Sequence, residues 1–491
     1  MNYISTRGNY KKVSSAEAIK TGMVPEGGLF VPESFPVLRK EEIEAMTDMS
    51  YQEIAEKVFS LYLTDFTQEE IKKCVNGAYN TKNFDTKDIA PVIKAGENYI
   101  LELWHGPTAA FKDMALQIMP YFLTVAKEKL NDTNETVILV ATSGDTGKAA
   151  LEGFKNIKGI KIAVFYPVEG VSEVQKLQMN TTDGDNTVVM AVKGNFDDCQ
   201  TAVKNIFSNK ELKDTLYSKG IEFSSANSIN WGRLLPQIVY YFHAYATMVR
   251  NDEVKFGEEI DFCVPTGNFG NILAGYYAKK MGLPVAKLIC ASNSNNVLTD
   301  FFITGKYDRK RHFHKTMSPS MDIIISSNLE RFLYDISGGN GENIVQYYRD
   351  LGINGSFKVS DEVKAEMDRL IVAGYCSESD TEKTIKDLFD ETGYMLDTHT
   401  AVAIKVANDN KSGRKIVVDS TASPYKFSNS VIKSITGSEF ADEFNAVNEI
   451  ANISKFPIHV AVQGLKEKEV IHKKVIDKTE LEKAVKEMLN I

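Results

Sequence analysis

The sequence predicts an α/β protein in which parallel β-sheet is covered by helices on both faces and is preceded by a small, mostly helical domain. From about residue 97 to about residue 435, short apolar segments alternate with helical stretches. Near-continuous apolar strands of this kind are typical of parallel sheet that is buried on both faces. The first 90 residues lack this alternation, and Ile54, Val58 and Leu61 recur there at helical spacing.

The same patterns place the individual elements. A short extended segment follows the turn at Gly27 and Gly28, and two helices are predicted near residues 50–63 and 68–78. Strands are predicted at residues 136–141, 161–166, 187–192, 261–264, 288–291 and 415–418. Helices are predicted at residues 112–130, 147–157, 197–208, 233–250, 271–282, 361–373 and 379–390. Pro120 should kink or break the first of these helices, because its ring clashes with the preceding turn.

Length and pattern together predict three regions. At about 150 residues per domain, a chain of 491 residues is long enough for several domains. The mostly helical N-terminal domain spans residues 1–90, and the alternating region spans residues 91–435. Residues 436–491 are predicted to form a C-terminal extension, with a β-like segment at 457–462 and a charged amphipathic helix from about residue 477.

The composition is that of a soluble globular protein, since 43% of the residues are hydrophobic and 25% are charged. Lys and Arg total 57 against 66 Asp and Glu, and this acidic balance disfavours nucleic acid and anionic membranes as partners. Neither a signal-peptide pattern nor an apolar run of roughly 18 residues is found. The five scattered cysteines predict buried thiols in a reducing cytoplasm. We expect a cytoplasmic monomer or homodimer without a metal site.

Catalytic residues are sought in the loops after strands, because open α/β sheets bind ligands at the carboxyl ends of their strands. Residues 103–113 (LWHGPTAAFKD) form a Gly-Pro turn that leads to Lys112, directly after Phe111. A lysine that apolar neighbours desolvate has a lowered pKa and becomes a nucleophilic amine, as an internal Schiff base requires. The alternative is a solvated lysine at the start of a helix.

Two further loops have the character of anion sites. Residues 141–148 (ATSGDTGK) follow a predicted strand, and their hydroxyl and N–H groups at a helix start suit an anion. A P-loop is excluded, because Thr142 and Ala149 stand where its spacing needs Gly and Ser or Thr. Residues 265–271 (PTGNFGN) join a strand to a helix, and their glycines let a phosphate approach the backbone closely. An ordinary strand-to-helix turn is the alternative for both loops.

Two weaker motifs complete the set. Residues 419–424 (DSTASP) follow the last predicted strand, and residues 227–233 (NSINWGR) end in Arg233 at a helix start. A guanidinium at that position would suit a second phosphate, although a surface arginine is the alternative. An aldehyde for Lys112 and a phosphate for the Gly/Asn-rich loop together point to pyridoxal phosphate.

With these motifs, the chain resembles the threonine synthases of the long bacterial and fungal type, which belong to fold type II of the pyridoxal-phosphate enzymes. The resemblance covers nearly the whole chain and is carried, in order, by residues 3–8, 27–32, 105–113, 142–147, 227–233, 267–271, 397–403 and 420–422. It implies a fold similar to the tryptophan synthase β-subunit, with two open parallel-sheet domains. The smaller of the two would be inserted at roughly residues 130–235 of the catalytic region, 91–435.

The resemblance also implies which residues bind pyridoxal 5'-phosphate. Lys112 would hold the cofactor as a Schiff base, and Asp145 would lie near its phenolic oxygen, where many relatives have Asn. Thr421 would face the pyridine nitrogen. A neutral hydroxyl does not keep that nitrogen protonated, which suits elimination and replacement better than transamination. The cofactor phosphate would bind to the loop formed by Gly267, Asn268, Phe269, Gly270 and Asn271.

For the substrate, the resemblance implies that Asn227 and Arg233 contact a phosphate group. The substrate carboxylate would be held by Thr142, Ser143 and Thr146. Lys426 is either a further phosphate ligand or a surface residue, and His399 either packs beside the site or merely opens a helix. The implied reaction is that of a carbon–oxygen lyase, which converts O-phospho-L-homoserine and water into L-threonine and phosphate in the last step of threonine biosynthesis.

Two alternatives remain open. The chain could be another lyase of the same fold, such as a serine or threonine dehydratase or a β-replacing synthase; the N-terminal domain and residues 227–233 argue against this. It could also be a synthase-like protein that binds cofactor or phosphate without turnover, against which Lys112 argues. No function is predicted for residues 317–325.

Overall fold

The computed structural model describes residues 1–142, 144–454 and 456–491, without the side chain of Asp197. The N-terminal part is mostly helical, as predicted. Its elements are β1 (Tyr3–Ser5), α1 (Ser15–Thr21), β2 (Phe30–Pro32), α2 (Lys40–Ala45), α3 (Tyr51–Tyr62) and α4 (Gln68–Ala78). Helices α3 and α4 begin at capping boxes, in which Ser50 and Thr67 each exchange hydrogen bonds with a glutamate three residues later. These caps place both helix starts within a residue of the prediction.

The chain up to residue 250 then alternates between strands and helices. Its elements are β3 (Val92–Ala95), β4 (Asn98–Glu102), α5 (Asp113–Leu116), α6 (Met119–Lys129), β5 (Glu135–Ala141), α7 (Asp145–Phe154), β6 (Ile160–Pro167), α8 (Glu173–Asn180), β7 (Thr187–Lys193), α9 (Phe196–Ser208), α10 (Lys210–Ser218), β8 (Ile221–Ser224) and α11 (Trp231–Arg250). The helix predicted at 112–130 is indeed broken, into α5 and α6. Pro120 lies in the first turn of α6, where its missing N–H has no partner to lose.

The next part of the chain supplies most of the larger sheet. Its elements are β9 (Ile260–Pro265), α12 (Gly270–Lys280), β10 (Val285–Ser292), α13 (Val297–Thr304), β11 (Lys306–Asp308), α14 (Leu329–Ile336), α15 (Gly341–Asn354), β12 (Ser356–Lys358), α16 (Asp361–Leu370), β13 (Ile371–Tyr375), α17 (Glu378–Thr392), α18 (Thr398–Asp409), β14 (Ile416–Ser420) and α19 (Ser428–Thr436). The helix predicted at 361–373 is wrong at its end. It stops at Leu370, and the β-branched Ile371 and Val372 pair in parallel with β10.

The C-terminal part completes the smaller sheet. It contains α20 (Glu443–Ser454), β15 (Val475–Asp477) and α21 (Leu481–Leu489). Strand β15 pairs in parallel with β7, and Val485 of α21 packs into the same hydrophobic core as Val137 of β5. The β-like segment predicted at 457–462 is wrong. The chain turns there, and the N–H of Val462 donates to the carbonyl of His459 at 2.8 Å.

Two sheets with parallel strands carry the fold. The larger has the order β13-β10-β9-β14-β4-β3 and is parallel except for β3, which runs antiparallel to β4 at the edge. The smaller has the order β15-β7-β6-β5-β8 and is parallel throughout. In the larger sheet, β10 follows β9 on one side and β14 is added on its other side, and in the smaller sheet β6 follows β5 on one side and β8 is added on its other side. The strand order therefore reverses at β9 and at β5. Ligands bind at such switch points, at the carboxyl ends of the strands.

All five cysteine side chains lie in the hydrophobic cores of the protein. Each of the five cysteines is a buried free thiol, as the sequence predicts. Burial raises the pKa of the Cys74 thiol to about 12, so its reactive thiolate form is scarce at neutral pH. Within the ranges that the structure describes, no helix has both the length and the hydrophobicity to cross a membrane.

Candidate active site

Lys112 precedes α5 in a loop that lies against the end of β14. The N–H of Phe111 donates to the carbonyl of Thr421 at 2.9 Å, and Ala110 and Ala422 form an antiparallel bridge. Backbone contacts on the N-terminal side of the lysine therefore fix its position relative to the larger sheet. They also bring Thr421, which the sequence predicts to contact the cofactor, into the neighbourhood of Lys112.

A buried carboxyl group holds the other side of the same loop. Asp113 accepts hydrogen bonds from the N–H and the hydroxyl of Thr108, each at 2.8 Å. Burial raises the pKa of Asp113 to about 6, although the bonds from Thr108 oppose this rise. Gly106 permits the arrangement, because a Cβ atom there would lie 2.4 Å from the Cβ of Asp113. The Gly-Pro turn is thus packed tightly around the residue that follows Lys112.

The amine of Lys112 is desolvated. Its side chain is 11% exposed, and its Nζ lies 5.4 Å from the centre of the Phe111 ring. Nζ is also 3.2 Å from Oδ2 of Asp145 and 3.3 Å from Oγ of Ser320. Burial lowers the pKa of Lys112 despite the attraction of Asp145, and the positive charge of Lys426 lowers it further. An amine with these surroundings can act as a nucleophile or as a base.

Asp145, the first residue of α7, collects four side-chain donors. Its Oδ2 is 3.2 Å from Nζ of Lys112 and 3.0 Å from Oγ of Ser320. Its Oδ1 is 2.8 Å from Nε2 of Gln175 and 2.7 Å from Nζ of Lys426. Burial favours the neutral acid, but the charges of the two lysines hold the pKa of Asp145 well below its usual range. The carboxylate is therefore ionised and shared between two ammonium groups.

Lys426 is a buried member of this cluster, so its interpretation as a surface residue is wrong. It lies in a 3-10 turn, Pro424–Phe427, and its side chain is 0% exposed. Besides Asp145, its Nζ donates to the carbonyl of Thr108 at 3.0 Å. The local sequence does not reveal this position, because both partners come from distant segments.

Residues 317–325, for which the sequence predicts no function, supply Ser320 to the site. The N–H of Ser320 donates to Nε2 of His399 at 3.1 Å, and Nδ1 of His399 lies 3.1 Å from Oδ1 of Asp397. An imidazole that accepts at Nε2 and donates at Nδ1 is neutral, with its tautomer assigned from these partners. His399 therefore lies beside the site and holds the Ser320 segment in place.

Gln175 of α8 is another site residue that the sequence does not indicate. It reaches Asp145 past Gly144, whose φ of 142° favours glycine. A Cβ atom at Gly144 would lie 2.5 Å from Cδ of Gln175. Gly144 therefore leaves room for a side chain of α8 to contact the carboxylate of Asp145.

The loop after β5 has the compact form expected of a strand-to-helix turn. Oγ1 of Thr142 accepts hydrogen bonds from the N–H groups of Gly144 and Gly147, each at 3.0 Å. Thr146 is half-buried in the first turn of α7, while Ser143 lies outside the described residues. Thr142 thus shapes the loop, and contacts from this loop to a substrate carboxylate stay a prediction.

The loop of residues 267–271 leads from β9 into α12. Phe269 caps the helix in the left-handed conformation, with φ of 63°. The N–H groups of residues 267–270 donate to no acceptor among the described residues. Ser326 donates to the carbonyl of Gly267 at 2.7 Å and fixes the loop from outside. Unused N–H groups at the N-terminus of a helix suit a phosphate group.

A buried tyrosine connects this loop to the end of β14. The hydroxyl of Tyr241 lies 2.8 Å from Oδ1 of Asn271 and 3.0 Å from Oδ2 of Asp419. Burial raises the pKa of Asp419 to about 7, against the hydrogen bond from Tyr241. The loops that follow β9 and β14 are therefore fixed relative to each other at one edge of the larger sheet.

Arg233 is a buried cation in the first turn of α11. Its side chain is only slightly accessible, and its Nη1 donates to the carbonyl of Ala226 at 2.8 Å. Among the described residues, its Nε has no hydrogen-bond partner. Burial lowers the pKa of Arg233 to about 10, and no carboxylate of the described residues opposes the change. Asn227 lies in the preceding loop with an exposed side chain. A buried guanidinium without an anion is suited to bind one.

A cavity of about 1020 Å³ reaches the Asp145 cluster from its outer side. Its wall includes Gln175 and Lys426, which both contact Asp145. It also includes Pro319, which precedes Ser320. A cavity of this size admits a small ligand. Gln175 and Lys426 therefore separate this cavity from Asp145, and Lys112 is not part of its wall.

These features fit pyridoxal phosphate. A desolvated lysine amine suits its aldehyde, and unused N–H groups at a helix N-terminus suit its phosphate. Thr421, whose carbonyl accepts from the N–H of Phe111, adds a hydroxyl-bearing residue beside the lysine loop. The fold and the site together define a pyridoxal-phosphate dependent enzyme. The family model with that description matches residues 91–419, and the model described as threonine synthase N terminus matches residues 2–79.

Individual relatives show to which family of pyridoxal-phosphate dependent enzymes the chain belongs. Threonine synthase of Pseudomonas aeruginosa is 38% identical over 441 residues, which cover 89% of this chain and 91% of that protein. A crystal structure of pyridoxal-phosphate-bound threonine synthase from Brucella melitensis is 33% identical, with a TM-score of 0.88 and 99% of each chain covered. The chain therefore belongs to the threonine synthase family. This confirms the fold class, the cofactor and the family resemblance predicted from the sequence.

One group of relatives is longer than this chain. Human threonine synthase-like 1 is 40% identical over 454 residues, which cover 88% of this chain. The match spans only 60% of the human protein's own length. Relatives of this group therefore have additional segments outside the match.

Proposed function

We propose that this chain is a threonine synthase, a carbon–oxygen lyase that converts O-phospho-L-homoserine and water into L-threonine and phosphate. The observation that carries the proposal is Arg233, a buried guanidinium without an anionic partner among the described residues. It lies close enough to Lys112 to lower the pKa of that amine. The loop of residues 267–271 suits the cofactor phosphate, so Arg233 is left for a second phosphate, which the substrate carries.

The residues that would hold the cofactor lie on three loops and at the start of α7. Lys112 would bind its aldehyde carbon, residues 267–271 its phosphate, and Thr421 its ring nitrogen. Asp145 would lie near its phenolic oxygen, and Lys426 would contact the same carboxylate. When bound, pyridoxal phosphate supplies a conjugated ring that accepts the electron pair left at Cα when a proton is removed.

The residues around Lys112 can hold and move protons. The pKa of its Nζ is lowered by burial, so the neutral amine that can take a proton from Cα is more accessible than in an exposed lysine. Asp145 and Ser320 lie 3.2 Å and 3.3 Å from that nitrogen and orient it. The same amine can return the proton within the site. Among the described residues, Asp145 is the one titratable side chain within hydrogen-bond distance of this amine.

Binding of the substrate would use the two remaining features. Arg233 would pair with the phosphate and stabilise the negative charge that it gains on leaving Cγ. Thr142, Ser143 and Thr146 would hold the carboxylate at the N-terminus of α7, whose dipole favours an anion. Asn227, exposed in the loop before Arg233, would add an amide contact to the phosphate.

Gly267→Ala should weaken binding of the cofactor. A Cβ atom at Gly267 would lie 2.9 Å from the carbonyl oxygen of Ser320 and 3.4 Å from Cα of Met321, so the loop would have to shift. Overpacking of this kind costs about 1–3 kcal/mol, which corresponds to roughly a 5- to 150-fold rise in the dissociation constant. Absorbance titration of the apoprotein with pyridoxal phosphate measures this constant. Gly352→Ala is the matched control, because no atom lies within 4 Å of its Cβ position.

The proposed activity is tested by phosphate release from O-phospho-L-homoserine, with the amino-acid product identified by chromatography. Equal amounts of phosphate and L-threonine are expected. Release of ammonia and an oxo acid from L-serine or L-threonine, without activity on phosphohomoserine, would instead indicate a dehydratase. A lysine-bound cofactor spectrum without turnover of any of these compounds would indicate a non-catalytic relative.

A further inference from the structure

We propose that Lys426 is the permanent counter-ion of Asp145, a positioning residue that keeps this carboxylate ionised so that Lys112 can release its proton. The inference rests on the proposed function insofar as Lys112 is taken as the reactive amine. It assigns to Lys426 a role that differs from the one expected from the sequence, where it is a candidate ligand of the substrate phosphate.

The position of Lys426 is unsuited to a phosphate ligand. Its side chain is 0% exposed, and its Nζ is committed to Oδ1 of Asp145 at 2.7 Å and to the carbonyl of Thr108 at 3.0 Å. Two of its three N–H donors are thus used by groups of the protein, and a side chain without exposed surface presents little of the third to a phosphate. Arg233, which has an unpartnered Nε, is the better ligand for that group.

Each carboxylate oxygen of Asp145 contacts one of the two ammonium groups. Oδ1 faces Lys426, and Oδ2 faces Lys112. A buried carboxylate whose only cation became neutral would take up a proton or hold on to the proton of its partner. Because Lys426 contacts Oδ1 at 2.7 Å, Asp145 keeps a second cation beside it when the proton of Lys112 leaves.

The other charged and titratable groups around the pair have other partners or act from a greater distance. Arg233 of α11 lowers the pKa of Lys112 through its charge but makes no ion pair with Asp145. His399 of α18 contacts Ser320, which bonds to Asp145, and a positive charge on its ring would act on Asp145 in the same direction as Lys426. Asp113 is held by Thr108. Among the described residues, Lys426 is therefore the cation that contacts Asp145 besides Lys112.

Removal of Lys426 should raise the pH at which Lys112 loses its proton. In Lys426→Met, Asp145 would have Lys112 as its only contacting cation, and repulsion between the two ammonium groups would be gone. Both changes favour protonated Lys112. Charges at such distances shift a pKa by about one to three units, and we expect a rise in this range.

The test uses the apoprotein and does not depend on turnover. The rate at which acetic anhydride acetylates Lys112, read by peptide mass spectrometry across pH, reports the fraction of neutral amine. We expect the midpoint to rise by about one unit or more in Lys426→Met. Lys426→Arg, which keeps the charge, should return it toward the parent value. Lys315→Met is the matched control, because Lys315 lines the same cavity with an exposed side chain away from Asp145.

A double variant keeps the test decisive if Lys426→Met unfolds, which circular dichroism would show. Asp145→Asn combined with Lys426→Met removes the ion pair as a whole, and Lys112 then has no carboxylate to retain its proton. Its midpoint should fall below the parent value. An unchanged midpoint in a folded Lys426→Met protein, or in the double variant, would overturn the proposal. The activity of the parent protein on phosphohomoserine is measured independently of these midpoints. The two proposals can therefore fail separately.

Discussion

Lys112→Ala is expected to lower the rate of threonine formation by about 10³-fold or more, since a positioned proton-transfer group alone contributes 10²–10⁴-fold. The fold should persist. Asp145 would still be bonded to Lys426, Gln175 and Ser320, so removal of Lys112 strands no buried charge. Phosphate release measures the loss, and thermal unfolding followed by circular dichroism measures the stability of the variant.

A second substitution, Lys112→Arg, tests whether the positive charge at this position is sufficient or whether the reactive amine is required. Lys112→Arg keeps a cation beside Asp145 but carries a guanidinium that stays protonated at all relevant pH values. It should therefore be as inactive as Lys112→Ala while keeping a similar melting temperature. Activity within tenfold of the parent protein in either variant would show that Lys112 is not the reactive amine.

Arg233→Met is expected to raise KM for O-phospho-L-homoserine by roughly 30-fold or more, because loss of a buried charge-assisted contact costs about 2 kcal/mol or more. Inhibition by inorganic phosphate should weaken in parallel. The melting temperature should not fall, since methionine removes a buried charge that has no carboxylate partner among the described residues. This combination distinguishes a ligand-binding arginine from one that supports the fold.

Arg250→Met on the same helix is the matched control for Arg233. Arg250 ends α11 and donates to the carbonyl oxygens of Thr47 and Met49, far along the helix from the site. Its loss should leave KM unchanged. Arg233→Lys should restore part of the affinity, because it returns a positive charge without the forked geometry. An unchanged KM in Arg233→Met would remove this residue from the substrate site.

The strands that the sequence predicts accurately are those buried on both faces. The predicted strand at 136–141 differs from β5 by one residue, because a fully buried strand reads as a continuous apolar run. Strand β13 was missed, since its middle residues are only half-buried and its last residue, Tyr375, is exposed. Strand β15 has one buried residue, Ile476, and pairs with β7 far away along the chain.

Some of the candidate site can likewise be read from local patterns. Lys112 and the loop of residues 267–271 stand at the junctions of predicted elements, where a nucleophilic amine and a phosphate cradle have recognisable local sequences. Gln175 and Ser320 have no such pattern. Each is an ordinary polar residue in its own segment and acquires meaning only through contact with Asp145.

The sequence by itself determined the alternation of strands and helices, the family resemblance and the lysine at the centre of the site, because each depends on neighbouring residues. The tertiary structure alone decided how the site is charged. Whether Asp145 is ionised, whether Lys426 is buried and whether Arg233 lacks an anion depend on groups that folding brings together from distant segments. Electrostatic interactions act through space and strengthen when water is excluded, so only the folded chain determines them.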